Sequence, residues 1–298
     1  MSDDIGRSCA IDAPAKINLT LDITGRRADG YHLLRTVMQT VDLCDTVTLI
    51  TGGEGIRLTL SDADLPADER NTAWKAAALF YEAAEIDPAV DILIEKRIPQ
   101  QAGMAGGSAD AAAVLRGLNA LYDEPLTESV LVMLAEKIGA DVPFCVLGGT
   151  MLATGIGEEL SPLPAMPPVW ITVVKPPVGV STADAYAAVD SAEPVLHSES
   201  EDALLAALAA GDAAGVGAHL FNVFDDALAI PAVALVKAAM AAYRPLGCQM
   251  TGSGSAVFAL FDSEEQAQEA ADGLATLGET FVCRPIGAPT APLIFETE

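Results

Sequence analysis

Positive charge is scarce in this sequence: 16 Lys and Arg stand against 42 Asp and Glu, a formal net charge of −26. A protein that grips nucleic acid needs a basic footprint to neutralise phosphates, and anionic membranes repel an acidic surface. Neither nucleic acid nor membrane is expected as a partner. Paired cysteines are missing as well. Cys9, Cys44, Cys145, Cys248 and Cys283 are odd in number, widely spaced and contain no CxxC, so neither a zinc knuckle nor a disulfide framework is expected. Five reduced thiols are. Three scattered histidines, His32, His197 and His219, make no His-rich metal site. No apolar run approaches the roughly 18 residues of a membrane-spanning helix. The opening MSDDIGRSC lacks the basic-then-apolar order of a signal peptide. A cytoplasmic protein is expected.

What is present is a foldable chain of 298 residues, 51% hydrophobic and 19% charged, enough for a sizeable core. At about 100–200 residues per domain the length suits two domains. Four prolines within Ser161–Pro168 can continue neither a helix nor a central strand. They suggest a junction, with one domain over 1–165 and a second over 166–298. Cations are uneven: no Lys or Arg occurs from Pro176 to Val236, while Lys16, Arg26, Arg27, Lys96 and Arg97 fall in the first hundred residues. An anion site belongs in the N-terminal half.

Period-2 alternation predicts a strand over Ala13–Ile23, with Ile17, Leu19, Leu21 and Ile23 on a buried face and Lys16, Asn18, Thr20 and Asp22 on the other. Further strands are predicted over Tyr31–Val41, Thr46–Ile50, Ile56–Leu60, Val90–Glu95, Val169–Val174, Ala256–Phe261 and Glu279–Cys283. Helices are predicted from an Asn71 cap, from Gly107 or Ser108, from Thr127 to Gly139, and over Ser263–Leu274. The order is that of an α+β protein rather than regular βαβ alternation.

Four places can carry chemistry. From Pro99-Gln100-Gln101-Ala102-Gly103-Met104-Ala105-Gly106-Gly107-Ser108-Ala109, nearly every residue after Gln101 is Gly, Ala or Ser. Such a loop lets backbone N–H groups approach an anion where a helix begins. No Lys follows the glycines, so it is not a P-loop; a plain glycine turn remains the alternative. Asp141 lies among Ala140, Val142 and Phe144 in a loop before Pro143, which favours extended geometry at Val142; a structural cap is the alternative. Lys16 is the sole lysine of the first seventy-four residues, and an exposed edge lysine is the alternative. Gly252-Ser253-Gly254 forms a tight glycine turn before a strand.

Taken in order, Ala13-Pro14-Ala15-Lys16-Ile17-Asn18-Leu19, Ala28-Asp29-Gly30-Tyr31-His32, the small-residue loop, Gly139-Ala140-Asp141-Val142-Pro143-Phe144 and Thr251-Gly252-Ser253-Gly254 resemble the GHMP kinase superfamily. The resemblance spans about Ile11 to Phe261. It implies a ribosomal-S5-domain-2-like N-terminal domain beside a ferredoxin-like C-terminal domain. The activity implied is ATP-dependent phosphorylation of a hydroxyl on a cytidine-diphosphate-linked methylerythritol, with Mg²⁺. It also implies Asp141 as base with Lys16 as partner, and the 99–109 loop with Lys96 at ATP. Asn18, Tyr31, His32, Gly252, Ser253 and Gly254 would face the second substrate, Tyr31 and His32 at its cytosine end. Two departures stand out: Ala105 replaces a frequent Gly and Ala109 a frequent Ser, which leaves Ser108 to any metal role. A kinase of mevalonate-type or amino-acid-type alcohols, and a silent nucleotide-binding regulator, remain as alternatives. Oligomeric state is not readable.

Overall fold

A computed structural model of the chain describes residues 6–192 and 198–296; His197 lies outside them. The N-terminal half begins with two long strands, β1 (Arg7–Arg26) and β2 (His32–Thr51), followed by β3 (Gly55–Leu60), α1 (Thr72–Ala84), β4 (Ala89–Glu95) and α2 (Gly106–Leu121). Then come α3 (Glu128–Glu136), α4 (Val142–Leu147), β5 (Thr150–Thr154) and β6 (Glu159–Pro162). The second half runs β7 (Trp170–Lys175), α5 (Thr182–Ser191), α6 (Ser198–Ala210), α7 (Ala213–Ala218), β8 (Phe221–Asn222), α8 (Val223–Leu228) and α9 (Pro231–Met240). It closes with β9 (Gly247–Met250), β10 (Val257–Phe261), α10 (Glu264–Leu274), β11 (Glu279–Cys283) and β12 (Leu293–Glu296).

The first sheet has the order β12-β1-β2-β4-β3, with β5 also on β2, β6 on β5 and β8 on β1. The second is antiparallel in the order β11-β7-β10-β9. Numbering its strands one to four along the chain gives 4-1-3-2, the split βαβ arrangement of a ferredoxin-like half. One core lies largely between the first sheet and α1–α4; a second forms around the other sheet with α9 and α10. The closing strand returns to the first sheet and pairs with the start of β1. On the way Arg116 of α2 donates to the carbonyls of Pro289 and Thr290.

Several sequence expectations change here. β2 is one strand where two were predicted. The polar face of β1 is not solvated: Lys16, Asn18 and Thr20 are all buried, because α4, β8 and the turn at Thr251 cover it. Lys16 is therefore no edge lysine. The strand bulges at Pro14/Lys16 and again at Asn18/Thr20, and bulges re-aim side chains. Val142 is not extended, and Asp141 stands at a helix start. It precedes α4, and Pro143 falls in the first turn of that helix, where a missing N–H costs nothing. Strands β5, β6, β8, β9 and β12, two to five residues long, were not predicted.

Candidate active site

Between the two sheets lies a cleft of about 570 Å³. It is lined by Lys16, Asn18, Lys96, residues 99–108, Asp141 and Gly252, Ser253 and Gly254, which come from both halves of the chain. Ala109 is turned away: its side chain is buried and its N–H is bonded to Ala105 O.

The loop before α2 is braced by the second half. Gly103 has φ +74°, and a Cβ there would lie 2.0 Å from Thr251 O. Gly252 has φ +54°, and its Cβ would lie 2.7 Å from Gly103 O. Two backbones touch where only glycine fits. Ser255 N and Ala256 N donate to the carbonyls of Gln101 and Ala102, each at 3.2 Å. Ala102 and Met104 point inward. The first N–H groups of α2, at Gly106 and Gly107, have no partner within the helix and lie at the cleft.

Opposite the loop, Lys16 Nζ sits 3.8 Å from Asp141 Oδ2. The lysine side chain is 5% exposed and the aspartate 40%. Lys16 Nζ also donates to Asn18 Oδ1 at 2.7 Å. That oxygen accepts from Gly252 N at 3.1 Å, and Asn18 Nδ2 donates to Thr36 at 2.8 Å. Asn18, 2% exposed, thus holds Lys16 and ties β1 to the second glycine turn. Lys16 N donates to Met104 O at 3.2 Å, joining the same strand to the loop.

Lys96 lines the cleft, but its ammonium is engaged by Asp45 and Asp110. Of the other cations expected to gather here, Arg26 pairs with Asp190, Arg27 with Asp29 and Arg97 with Glu95. None of the three lines the cleft. Arg70, not anticipated, does so at the mouth.

Tyr31 and His32 do not line the cleft. Tyr31 is 61% exposed on the turn between β1 and β2. His32 stacks on Tyr186 of α5 with ring centroids 4.6 Å apart, and bonds Asp190 at 2.7 Å. Asp190 is held below the usual carboxylate range by that bond. The aromatic wall of the cleft is Tyr186 with Phe224, edge to face at 5.0 Å. Sequence reasoning passed over both. The one available signal was a single aromatic ring in the otherwise Ala- and Asp-rich α5. Leu65, Pro66, Ile98 and Pro99 form an apolar slot beside Asn71 and Thr72.

Two family models match the chain, "GHMP kinases N terminal domain" over residues 71–149 and "GHMP kinases C terminal" over 204–280. A 4-diphosphocytidyl-2-C-methyl-D-erythritol kinase of Exiguobacterium sibiricum is 45% identical, the alignment covering 93% of this chain and 98% of that one. A namesake from Carboxydothermus hydrogenoformans is 43% identical over 93% and 97%. The crystal structure of a 4-(cytidine 5'-diphospho)-2C-methyl-D-erythritol kinase superposes with TM-score 0.80 at 38% identity, covering 93% of this chain and 99% of its own. Homoserine kinase from Cytophaga hutchinsonii, at 23% identity, TM-score 0.78 and 99% coverage of both chains, shares the fold.

Proposed function

The chain belongs to the GHMP kinases, among the 4-diphosphocytidyl-2-C-methyl-D-erythritol kinases, and from that premise we propose how its cleft works. It is an ATP-dependent small-molecule kinase. It phosphorylates a hydroxyl of 4-diphosphocytidyl-2-C-methyl-D-erythritol, giving the 2-phosphate, in the non-mevalonate route to isoprenoid precursors. One observation carries the mechanism: a buried lysine 3.8 Å from a cleft-facing aspartate, across from a glycine-rich helix N-terminus.

In this reading Asp141 takes the proton of the attacking hydroxyl as the new P–O bond forms. Lys16, 3.8 Å from Asp141, offsets the negative charge that develops on the transferred group. Residues 99–108 cradle the triphosphate on backbone N–H groups, and the Leu65–Pro66–Ile98–Pro99 slot takes the base of ATP. The cytidine end lies towards Tyr186 and Phe224, with His32 and Tyr31 on that side. Holding both reactants in line contributes on the order of 7–11 kcal/mol to barrier lowering.

Mg²⁺ fits these residues. Among the described residues no group of three or more His, Cys, Asp or Glu could cage a metal, and Mg²⁺ bound through substrate phosphates needs only one or two protein oxygens. Ser108, at the start of α2, would supply one. The ion would neutralise phosphate charge during transfer. We place the enzyme in the cytoplasm: no helix among the described residues is long and apolar enough to cross a membrane, and all five thiols are free.

The test is ADP release with ATP and Mg²⁺, offering the cytidine-diphosphate substrate beside mevalonate, homoserine and galactose. Release with the first alone is expected. Release with mevalonate or homoserine instead would overturn the substrate assignment.

A further inference from the structure

Beneath the phosphate loop lies a buried charge cluster that the mechanism above leaves unused. Lys96 follows β4, and its side chain is only 9% exposed. Its ammonium donates to Asp45 of β2 and, at 2.6 Å, to Asp110 Oδ2 of α2. Asp45 is fully buried. Its other oxygen accepts the N–H groups of Arg97 at 2.5 Å and Ile98 at 2.8 Å, the residues leading into Pro99. A Cβ on Gly106 would lie 3.5 Å from Lys96 Nζ, so the ammonium sits directly under the first turn of α2. The cluster thus grips the strand entering the loop and the helix leaving it.

The charges do not balance, with two carboxylates on one ammonium. Asp110, 3% exposed, keeps Oδ1 without a partner, alone among the buried side-chain oxygens and nitrogens of the described residues. Burial raises its carboxyl well above the usual range against the pull of Lys96, and Asp45, within hydrogen-bond reach, raises it further. A proton on Asp110, within hydrogen-bond reach of Asp45, makes the cluster neutral. A net negative charge under the loop would oppose a triphosphate; a neutral, rigid anchor does not.

We propose that Asp45, Lys96 and Asp110 form the positioning device of the ATP loop, Lys96 acting through the two aspartates rather than on the nucleotide. The proposal rests on reading this cleft as the ATP site. It makes Asp45 and Asp110 positioning residues, and it moves Lys96 from the role that the resemblance implies.

The experiment measures KM for ATP and for the cytidine substrate separately, with thermal unfolding, in the full-length enzyme. Asp45→Asn turns an amide N–H₂ against the ammonium. At least a tenfold rise in KM for ATP is expected, with less than a twofold change for the other substrate. Asp110→Asn can still accept from Lys96 and donate to Asp45, so its rise in KM for ATP should be smaller than that of Asp45→Asn; an equal or larger rise would overturn the arrangement with its proton on Asp110. Adding Lys96→Met to Asp45→Asn removes the clash and recovers threefold or more. An unchanged KM for ATP in Asp45→Asn, a parallel rise in both KM values, or a deeper loss on adding Lys96→Met would each overturn the proposal. Should Asp45→Asn not fold, Lys96→Met against Lys96→Met/Asp45→Asn gives the comparison, since the first leaves Asp45 a buried anion without its ammonium: recovery supports the cluster and its absence overturns it. Wild-type protein that releases no ADP would overturn the functional reading instead. Calorimetric ATP binding by the same variants would still decide the cluster.

Discussion

Asp141 reaches the cleft on a side chain two-fifths exposed, with Lys16 beside it. Asp141→Asn keeps shape and size while removing the base. Turnover should fall by about 10²–10⁴-fold, the usual worth of a positioned general base, with ATP affinity kept within a few-fold. Single-turnover rates and calorimetry separate the two, and near-normal turnover would remove Asp141 from the base role. Asp110 gives a prediction of opposite character. Its folded-state pKa is raised by burial to about 7, against roughly 3.9 in the unfolded chain. Over that window the folded state holds a proton that the unfolded state has released. Its contribution to stability is therefore complete below about pH 4 and is lost as pH rises through 7. Urea midpoints at pH 5 and pH 7 should differ less in Asp110→Asn than in wild type; an equal difference would mean Asp110 is ionised throughout. Asp141 could be singled out in the sequence as a charge among apolar neighbours, and Lys16 as the sole lysine of the first seventy-four residues. The surroundings of His32 could not, since its ring partner and its carboxylate both come from α5, more than 150 residues away. Nor could the reach of Tyr31, which depends on how a turn projects from the sheet.

At the scale of elements, the phosphate loop depends on two backbone facts at neighbouring positions. Gly103 touches Thr251 O in left-handed geometry, so Gly103→Ala adds a clash to conformational strain. It should destabilise by more than about 2 kcal/mol and raise KM for ATP, readable together by chemical denaturation and kinetics. Ala105 also sits at φ +59°, directly before α2, where an L residue costs about 1–2 kcal/mol. Ala105→Gly should therefore stabilise by up to about 1 kcal/mol after the entropy cost of glycine, with activity kept. A loss of stability would mean the methyl packs better than its strained backbone suggests. The departure from the family pattern at this position was visible in the sequence; its cost was not, because a sequence does not print φ. The same holds for β1. Its alternation was legible, but the pattern gave its polar face to water, and it takes α4 and the second half of the chain, folding back over it, to make that face a floor of the cleft. Strands of four residues such as β9 and β12 carry too little pattern to be seen before their partners are known.

For the whole molecule, 42 acidic groups against 16 basic ones set a field that every local arrangement works against. The basic residues of the first hundred positions answer it mostly in pairs, Arg26 with Asp190, Arg27 with Asp29 and Arg57 with Asp91. The segment from Pro176 to Val236 has no Lys or Arg of its own. It is tied to the first half by cations lent from β1 and β2: Arg26 to Asp190 and Arg35 to Glu201. Two electrostatic effects then compete when salt is added. Screening weakens those pairs, most of all where both partners are exposed and worth about 0–1 kcal/mol. It also weakens the general repulsion among the unpaired acids, which acts over the Debye length of about 10 Å at 0.1 M and shrinks to 3 Å at 1 M. With an excess of 26 negative charges the repulsion is the larger sum. The melting temperature should therefore rise between 0.05 and about 0.5 M NaCl, by several degrees. Sucrose at matched osmolality separates a charge effect from general exclusion of solute. KM for ATP should fall over the lower part of that range, because an anionic substrate meets less repulsion on approach. A melting temperature that falls with NaCl would mean that the few cross-half pairs outweigh the excess of acid. Charge reversal at Glu201, the buried end of one such pair, would then be the more damaging change.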